Sequence, residues 1–534
     1  MKKILIASMI LVVFGSCTKD FETTNQSPNQ ISDVLLKQDF NLVGSPFSGY
    51  LFNLFGHQVE EDLCFDSWMG YMNTPTDFVG NVNNTTYYIR WNSYWGRVYG
   101  SIMSPTKQTI TLAGTNNLPL FATWAKLIRV IAMAKLTAIH GPVIYSKYGS
   151  TDASIAYDTE SALYTQLFAD LDAIQTDFAA NKAYTGFKAF DPSYKGSIPA
   201  WQKVVNSMRL RLAMRLVKVA PALAKTQGEK AIADPAGLIV ANADNFLISL
   251  NGNIMPVAQI CYQWDDTRMG GPIEQFMVGY NDGRISKYYA PVGTASLAAD
   301  HPALPYKGIR NGSWNLAKAD KVPFSKISND FNSVQTRRAF TASETHFLLA
   351  EAALRGWTGA GVAKTNYENG VKLSFADWGA SGADAYLADA TSKPIDYVDP
   401  TDAASIKINP KAINSGAAAS TMTIAWDEAA SNEVKLERIM TQKWLSLFTN
   451  TLEAWCDFRR TGYPKIPHVA KNDSNADWGV IPADQWIKRM PFINGERTGN
   501  TAAVAAAAAS MMGGTGKDDI ATRLYFDTGV ATNF

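Results

Sequence analysis

Ten aromatic residues fall within the 35 positions from Phe65 to Tyr99: Phe65, Trp68, Tyr71, Phe78, Tyr87, Tyr88, Trp91, Tyr94, Trp95 and Tyr99. Sugar rings present apolar C–H faces that stack on flat aromatic side chains, and their hydroxyls need amide, carboxylate or guanidinium partners. A rigid aromatic also buries much area with little rotamer entropy lost. Asp66, Asn73, Asp77, Arg90 and Asn92 are interleaved with the aromatics. Trp68, Tyr71, Arg90, Asn92 and Trp95 are therefore candidate ligand-binding residues. Tyr262, Trp264 and Asp265, in a loop-like stretch, make a second candidate wall. The same chemistry would serve a peptide. The competing reading is structural: Trp91, Tyr94, Trp95 and Tyr99 stand at helical spacing and would form a core stripe.

A second constellation could hold a cation. Asp473-Ser-Asn475-Ala-Asp477-Trp478-Gly479 offers oxygens at alternate positions, with Asp484 at the twelfth. This approximates a calcium loop, although Trp478 stands where glycine makes the sharp turn and Asp484 where a bidentate Glu closes the shell. A structural calcium ion is the one cofactor the sequence suggests; an ordinary polar loop is the alternative. Motifs for catalysis are missing. The sequence contains no HExxH and no GxSxG, and its five His (His57, His140, His301, His346, His468) lie far apart. Gly516-Lys517 lacks the leading Gly and the following Ser/Thr of a phosphate-binding loop. Glu344 and Glu351 sit two turns apart. The simpler reading has Glu344 capping a helix and Glu351 pairing with Arg355 at i,i+4. A lipid-anchored hydrolase would need a carboxylate pair drawn from distant loops.

These side chains must be positioned by helices. Trp124, Leu127, Ile128 and Ile131 predict a helix over 121–139, and Leu163, Leu167, Leu171, Ile174 and Phe178 one over 160–178. Trp201, Val204, Val205, Met208, Leu212 and Leu216 predict one over 200–219, with Pro221 just beyond its end. Thr341 and Glu344 make a capping box before Phe347, Leu348 and Ala352, and Gly356 closes that helix. Ser431 caps a further helix carrying Leu436, Ile439, Met440, Trp444 and Leu447; Ala502–Ala509 predicts another, stopped by Gly513-Gly514. Leu238–Leu250 is the best stretch for a short β excursion. The fold class is therefore mainly α, with long loops and minor β, in a single compact domain over 31–534.

Lys2 and Lys3 precede an eleven-residue, mostly apolar run, Ile4–Phe14, which is too short to span a bilayer comfortably. Gly15, Ser16 and Cys17 follow. Small residues directly before a Cys resemble a bacterial lipobox, which implies a signal peptide over 1–16 and lipidation of Cys17. Several acyl chains on one Cys suffice for stable membrane anchoring. Thr18–Gln30 reads as a flexible tether, with Asp20 and Glu22 resembling a surface-export signal. Cys64, Cys261 and Cys456 have apolar or aromatic neighbours, which predicts buried free thiols. Across 534 residues, 49 Lys+Arg balance 48 Asp+Glu, which argues against nucleic acid as a partner. A mean hydropathy of −0.11 with one long apolar run excludes a multi-pass membrane protein.

Several blocks spread along the chain resemble one family. They are Trp201-Gln-Lys-Val-Val-Asn-Ser-Met-Arg-Leu-Arg-Leu-Ala-Met-Arg215, Thr341–Trp357, Gln442-Lys-Trp444, Glu453-Ala-Trp455, Asp457-Phe-Arg-Arg-Thr-Gly-Tyr-Pro464, and Arg489-Met-Pro491 with Glu496. Together with the Cys17 signal they resemble the SusD/RagB nutrient-binding lipoproteins of Bacteroidetes. The resemblance implies tetratricopeptide-like helix pairs, no catalysis, and an outer-membrane position facing the cell exterior. It implies a glycan ligand, with peptides as the alternative, and a SusC-like TonB-dependent transporter as partner. Arg209, Arg211, Arg215, Asp457, Arg459 and Arg460 in these blocks read as packing and salt-bridge residues. Ligand residues in such a fold would come from the loops.

Overall fold

Apolar residues recurring every three to four positions make helices the main elements among the described residues, and Pro, Ser and Thr set where several of these begin. The computed structural model describes residues 40–76, 78, 80, 82–292, 305–313, 321–397, 420–514 and 516–534. The signal peptide over 1–16, Cys17 and the tether over 17–30 lie outside the described residues, as does Asp77. Contacts divide the chain into residues 1–46 and 47–534. The described part of the first unit holds one short helix, Asn41–Gly44. All the elements named below belong to the second unit.

The main helices are α1 (Ser104–Thr115), α2 (Pro119–His140), α3 (Glu160–Ala180), α4 (Ile198–Arg215), α5 (Pro221–Ala233), α6 (Ala342–Leu354), α7 (Ala363–Asp377), α8 (Asn432–Ser446) and α9 (Thr451–Thr461). Successive helices pack as neighbours: α1 on α2, α2 on α3, α4 on α5 and α6 on α7, with α8 laid across α6 and α7. This is the mainly α, paired-helix architecture that the periodicity predicts. Helix α2 is apolar almost all round and almost wholly buried, as expected of a helix at the centre of such a stack.

The boundaries follow local chemistry. Thr159 and Ser197 cap α3 and α4, accepting from the N–H groups of Ala162 and Ala200. Ser431 caps α8 by accepting from Val434 N–H. Helix α4 ends at Arg215, earlier than its apolar spacing suggests, and Pro221 opens α5 instead of merely following α4. The capping box of α6 is half made. Thr341 Oγ1 accepts from Glu344 N–H at 3.3 Å, but the Glu344 carboxylate turns inward to Arg211, at 2.7 and 2.6 Å. A buried guanidinium is the stronger claimant for that carboxylate.

Only four residues of the predicted β excursion form a strand. β2 (Phe246–Ser249) pairs antiparallel with β4 (Thr336–Phe340), with Phe246 and Ile248 turned inward. The other pair is β1 (Met72–Asn73) against β3 (Arg268–Met269), in register Met72 to Met269. That short ladder matters because it brings the 70s and 260s loops together.

Buried ion pairs hold the helices in order. Arg211 and Arg215 of α4 reach Glu344 and Glu453. Glu351 of α6 accepts from Arg460 of α9 at 2.6 and 2.8 Å and from Arg355 at 2.8 and 3.0 Å. Asp457 joins them through Arg460 and Lys443. Cys64, Cys261 and Cys456 are buried free thiols. Among the described residues, no helix is long and apolar enough to cross a membrane.

Candidate functional site

The structure divides the aromatic-rich stretch into core and surface, and three of the candidate residues belong to the core. Trp68 is 1 % exposed; its indole N–H donates to the Asn84 carbonyl at 2.8 Å, and its ring lies 5.0 Å from that of Trp455. Tyr71 is buried and donates its hydroxyl to the Trp444 carbonyl at 2.6 Å. Trp95 is buried between His140, Tyr157 and Phe492. These rings contact helices and segments far away in sequence, which local spacing does not reveal. Asn92 is a tether: its amide donates to the Pro491 carbonyl at 2.7 Å.

Four partly exposed rings form two pairs. Trp264 meets the His57 imidazole edge-on at 5.2 Å, and Phe78 meets Trp91 at 5.1 Å. The Arg90 guanidinium lies 4.7 Å from the centre of the Trp91 ring. Asp266 joins the chain segments that carry the two pairs. One carboxylate oxygen accepts from Gln58, beside His57, at 3.1 Å, and the other from Thr76 at 3.0 Å, two residues before Phe78. Gln259 Oε1 is 2.9 Å from His57 Nε2, and Gln263 is exposed. A cleft of about 250 Å³ opens beside His57, between Phe52, Phe55, Ile248, Leu250 and Pro256.

Local chemistry fixes this wall. The helical turn Gln259–Gln263 ends at Trp264, whose N–H reaches back to the Gln259 carbonyl. Asp265 then takes a left-handed backbone (φ 58°), a conformation that short polar residues tolerate. The turn aims its carboxylate at Arg268 (2.7 Å) and Lys326 (3.1 Å). Burial pushes that carboxyl up, but Lys326 and Arg268 outweigh it and hold it below the usual range. Asp265 thus braces the turn that presents Trp264. Tyr262 beside it donates to the Ile327 carbonyl at 2.5 Å.

Trp91 was legible as an aromatic but not as a surface one. The helix carrying Tyr94 and Trp95 begins at Tyr94, so Trp91 precedes the stripe it seemed to continue. His57 carried no signal of its own, because its partner comes from the 260s loop, whereas Phe78 and its partner Trp91 both belong to the clustered aromatics.

A pair of acids sits behind the wall. Burial, reinforced by the Asp66 charge, pushes the Asp62 carboxyl up to about 8. Burial, reinforced by Glu61, pushes Asp66 up to about 6. Thr74 donates to Asp62, and Thr451 to Asp66 at 2.5 Å. Perturbed carboxyls of this kind are a common mark of catalytic sites, but the cavity they line is about 20 Å³, room for about one water molecule. No sugar ring reaches them. Their effect is on stability. Between the unfolded value of 3.8 and the folded value of about 8, folded Asp62 keeps a proton that the unfolded chain releases. Stability therefore falls as pH rises through that window. Asp62→Asn is expected to flatten this slope and to raise Tm above wild type at the alkaline end, measured by thermal melts across that range.

The 473–484 loop closes on itself. Asp473 pairs with Lys471 at 3.0 Å, and Asn475 bridges to Gly479 and accepts from Asp477 N–H at 2.9 Å. Asp477 and Asp484 are exposed. Among the described residues, no group of three or more His, Cys, Asp or Glu is gathered where a metal ion could sit.

Comparison with known proteins places this architecture. Residues 23–527 match the family model for SusD-like proteins, described as SusD and RagB outer membrane lipoprotein. A chitin-binding SusD homologue from Flavobacterium johnsoniae is 36 % identical, covering 92 % of this chain and 99 % of its own, with a TM-score of 0.81. A SusD-like protein from Bacteroides thetaiotaomicron is 30 % identical over 90 % of this chain and 98 % of its own, with a TM-score of 0.78. No curated protein matches. The chain belongs to the SusD-like family, the SusD and RagB outer-membrane lipoproteins, which are binding proteins rather than enzymes.

Proposed function

We propose that this chain captures glycan at the cell surface and delivers it to a SusC-like, TonB-dependent outer-membrane transporter. Lipid on Cys17 would anchor it to the membrane. The observation that carries the reading is the pair of partly exposed aromatic contacts, Trp264 with His57 and Phe78 with Trp91, set among Gln58, Gln263 and Arg90. Flat rings stack on pyranose faces, and amide and guanidinium groups meet the hydroxyls. The 36 % identical relative binds chitin, so polymers of N-acetylglucosamine are the first glycans to try.

The test is a binding screen of the protein against polysaccharides, oligosaccharides and peptides, with product analysis of every mixture. Saturable binding of one glycan class without new products is the expected result. Binding of peptides alone, or any turnover, would overturn the reading. Once a ligand is found, Trp264→Ala is expected to weaken it by about 1–3 kcal/mol while leaving Tm close to wild type.

A further inference from the structure

Outside the aromatic wall, α1, α2, α3 and the turn after α2 enclose a groove of about 410 Å³. Its size is that of a small-ligand site. Lys126 and Arg129 of α2, Tyr145 and Ser146 of the turn, and Gln166 and Asp170 of α3 line it. We propose that this groove is a second site, one that takes a sugar unit bearing a carboxylate.

Charge sets this groove apart. Among the described residues no carboxylate pairs with Lys126 or Arg129, and the only hydrogen bond that Arg129 makes is from Nε to Met103 Sδ at 3.4 Å. The guanidinium is nonetheless held in place, 5.7 Å from the centres of both the Tyr145 and the Tyr148 rings. Tyr148 is itself stacked on Tyr99 at 5.8 Å. Tyr145 donates its hydroxyl to Asp170 at 2.5 Å, and Asp158 accepts from the backbone N–H groups of Tyr145 and Ser146 at 2.7 and 2.8 Å. A cation fixed in advance gives up little conformational entropy on binding, and its planar fork matches a carboxylate. Asp170, the one acid in the lining, is already engaged by Tyr145 and by Gln166 at 2.8 Å. Asp158 is committed as well, to those two backbone N–H groups and to the Ser146 hydroxyl, so Lys126 and Arg129 are the groups left to meet an anion. The Ser146 hydroxyl donates to Asp158 and the Gln166 amide to Asp170, which leaves the oxygen of each to accept from a sugar's hydroxyls. The polar lining and the modest volume favour a single acidic sugar over a protein side chain.

The experiment titrates the protein with glucuronate, glucose and acetate, followed by ligand-observed NMR. Glucuronate is expected to bind saturably, to weaken as salt is raised, and to bind more tightly than either glucose or acetate. Arg129→Gln should weaken glucuronate at least about tenfold and leave neutral-glycan binding at the aromatic wall unchanged. Lys126→Gln, at an exposed position, should weaken it several-fold, which keeps the test decisive if the Arg129 variant does not fold. Absence of saturable glucuronate binding, equal binding of glucose or acetate, or an affinity that neither folded variant changes would each overturn the proposal.

Discussion

Trp68→Ala is expected to lower the unfolding free energy by about 3–5 kcal/mol, the scale of a buried Trp removed from a packed core. The ring is 1 % exposed and packs on Trp455 at 5.0 Å and on Phe65 at 5.8 Å. Its N–H serves the Asn84 carbonyl, so truncation also strands a buried acceptor. Asn84 in turn holds the backbone of Arg90 and Trp91 through its side chain. The variant that folds should therefore keep its ligand but show a lower denaturation midpoint with an unchanged slope. Lost binding with unaltered stability would instead place Trp68 in the ligand site.

Glu351→Ala should be comparably severe, at about 3–5 kcal/mol. The carboxylate is wholly buried and accepts four hydrogen bonds from Arg460 and Arg355. Burial pushes it up, but Arg460 and Arg355 together hold it below the usual range. Removing it leaves the Arg460 guanidinium, 1 % exposed, with Asp457 as its remaining carboxylate partner. The loss comes from that uncompensated charge more than from the pair's own worth. The double variant Glu351→Leu, Arg460→Met should accordingly recover part of it, as urea denaturation of the single and double variants would reveal. No recovery in the double variant would mean that shape, not charge, dominates at the α6–α9 contact.

Helices were readable because their determinants are local. The stripe from Trp124 to Ile131, the Ser431 cap and the Pro at position 221 each act over a turn or two. The i,i+4 pair Glu351–Arg355 was legible for the same reason, whereas the third member, Arg460, comes from a helix about a hundred residues on. The site resisted because exposure of a loop aromatic is set by what packs against it. Trp68 and Trp264 both lie near an aspartate among polar and aromatic neighbours; one is covered by α9 and the other meets the edge of His57. Asn92 reads as a hydroxyl partner until Pro491, 399 residues away, takes its amide. The Arg489-Met-Pro491 block reads as a family signature, and its structural work is now visible. Arg489 binds the His140 carbonyl at the end of α2, and the Phe492 ring that follows closes over Trp95.

The most direct test is a crystal structure of the protein soaked with the longest oligosaccharide that the screen identifies. Sugar rings are expected to lie against Trp264 and Trp91, with hydroxyls within hydrogen-bond reach of Gln58, Gln263 or Arg90. Sugar bound elsewhere on the chain, with Trp264 and Trp91 untouched, would contradict a glycan site built on this aromatic wall.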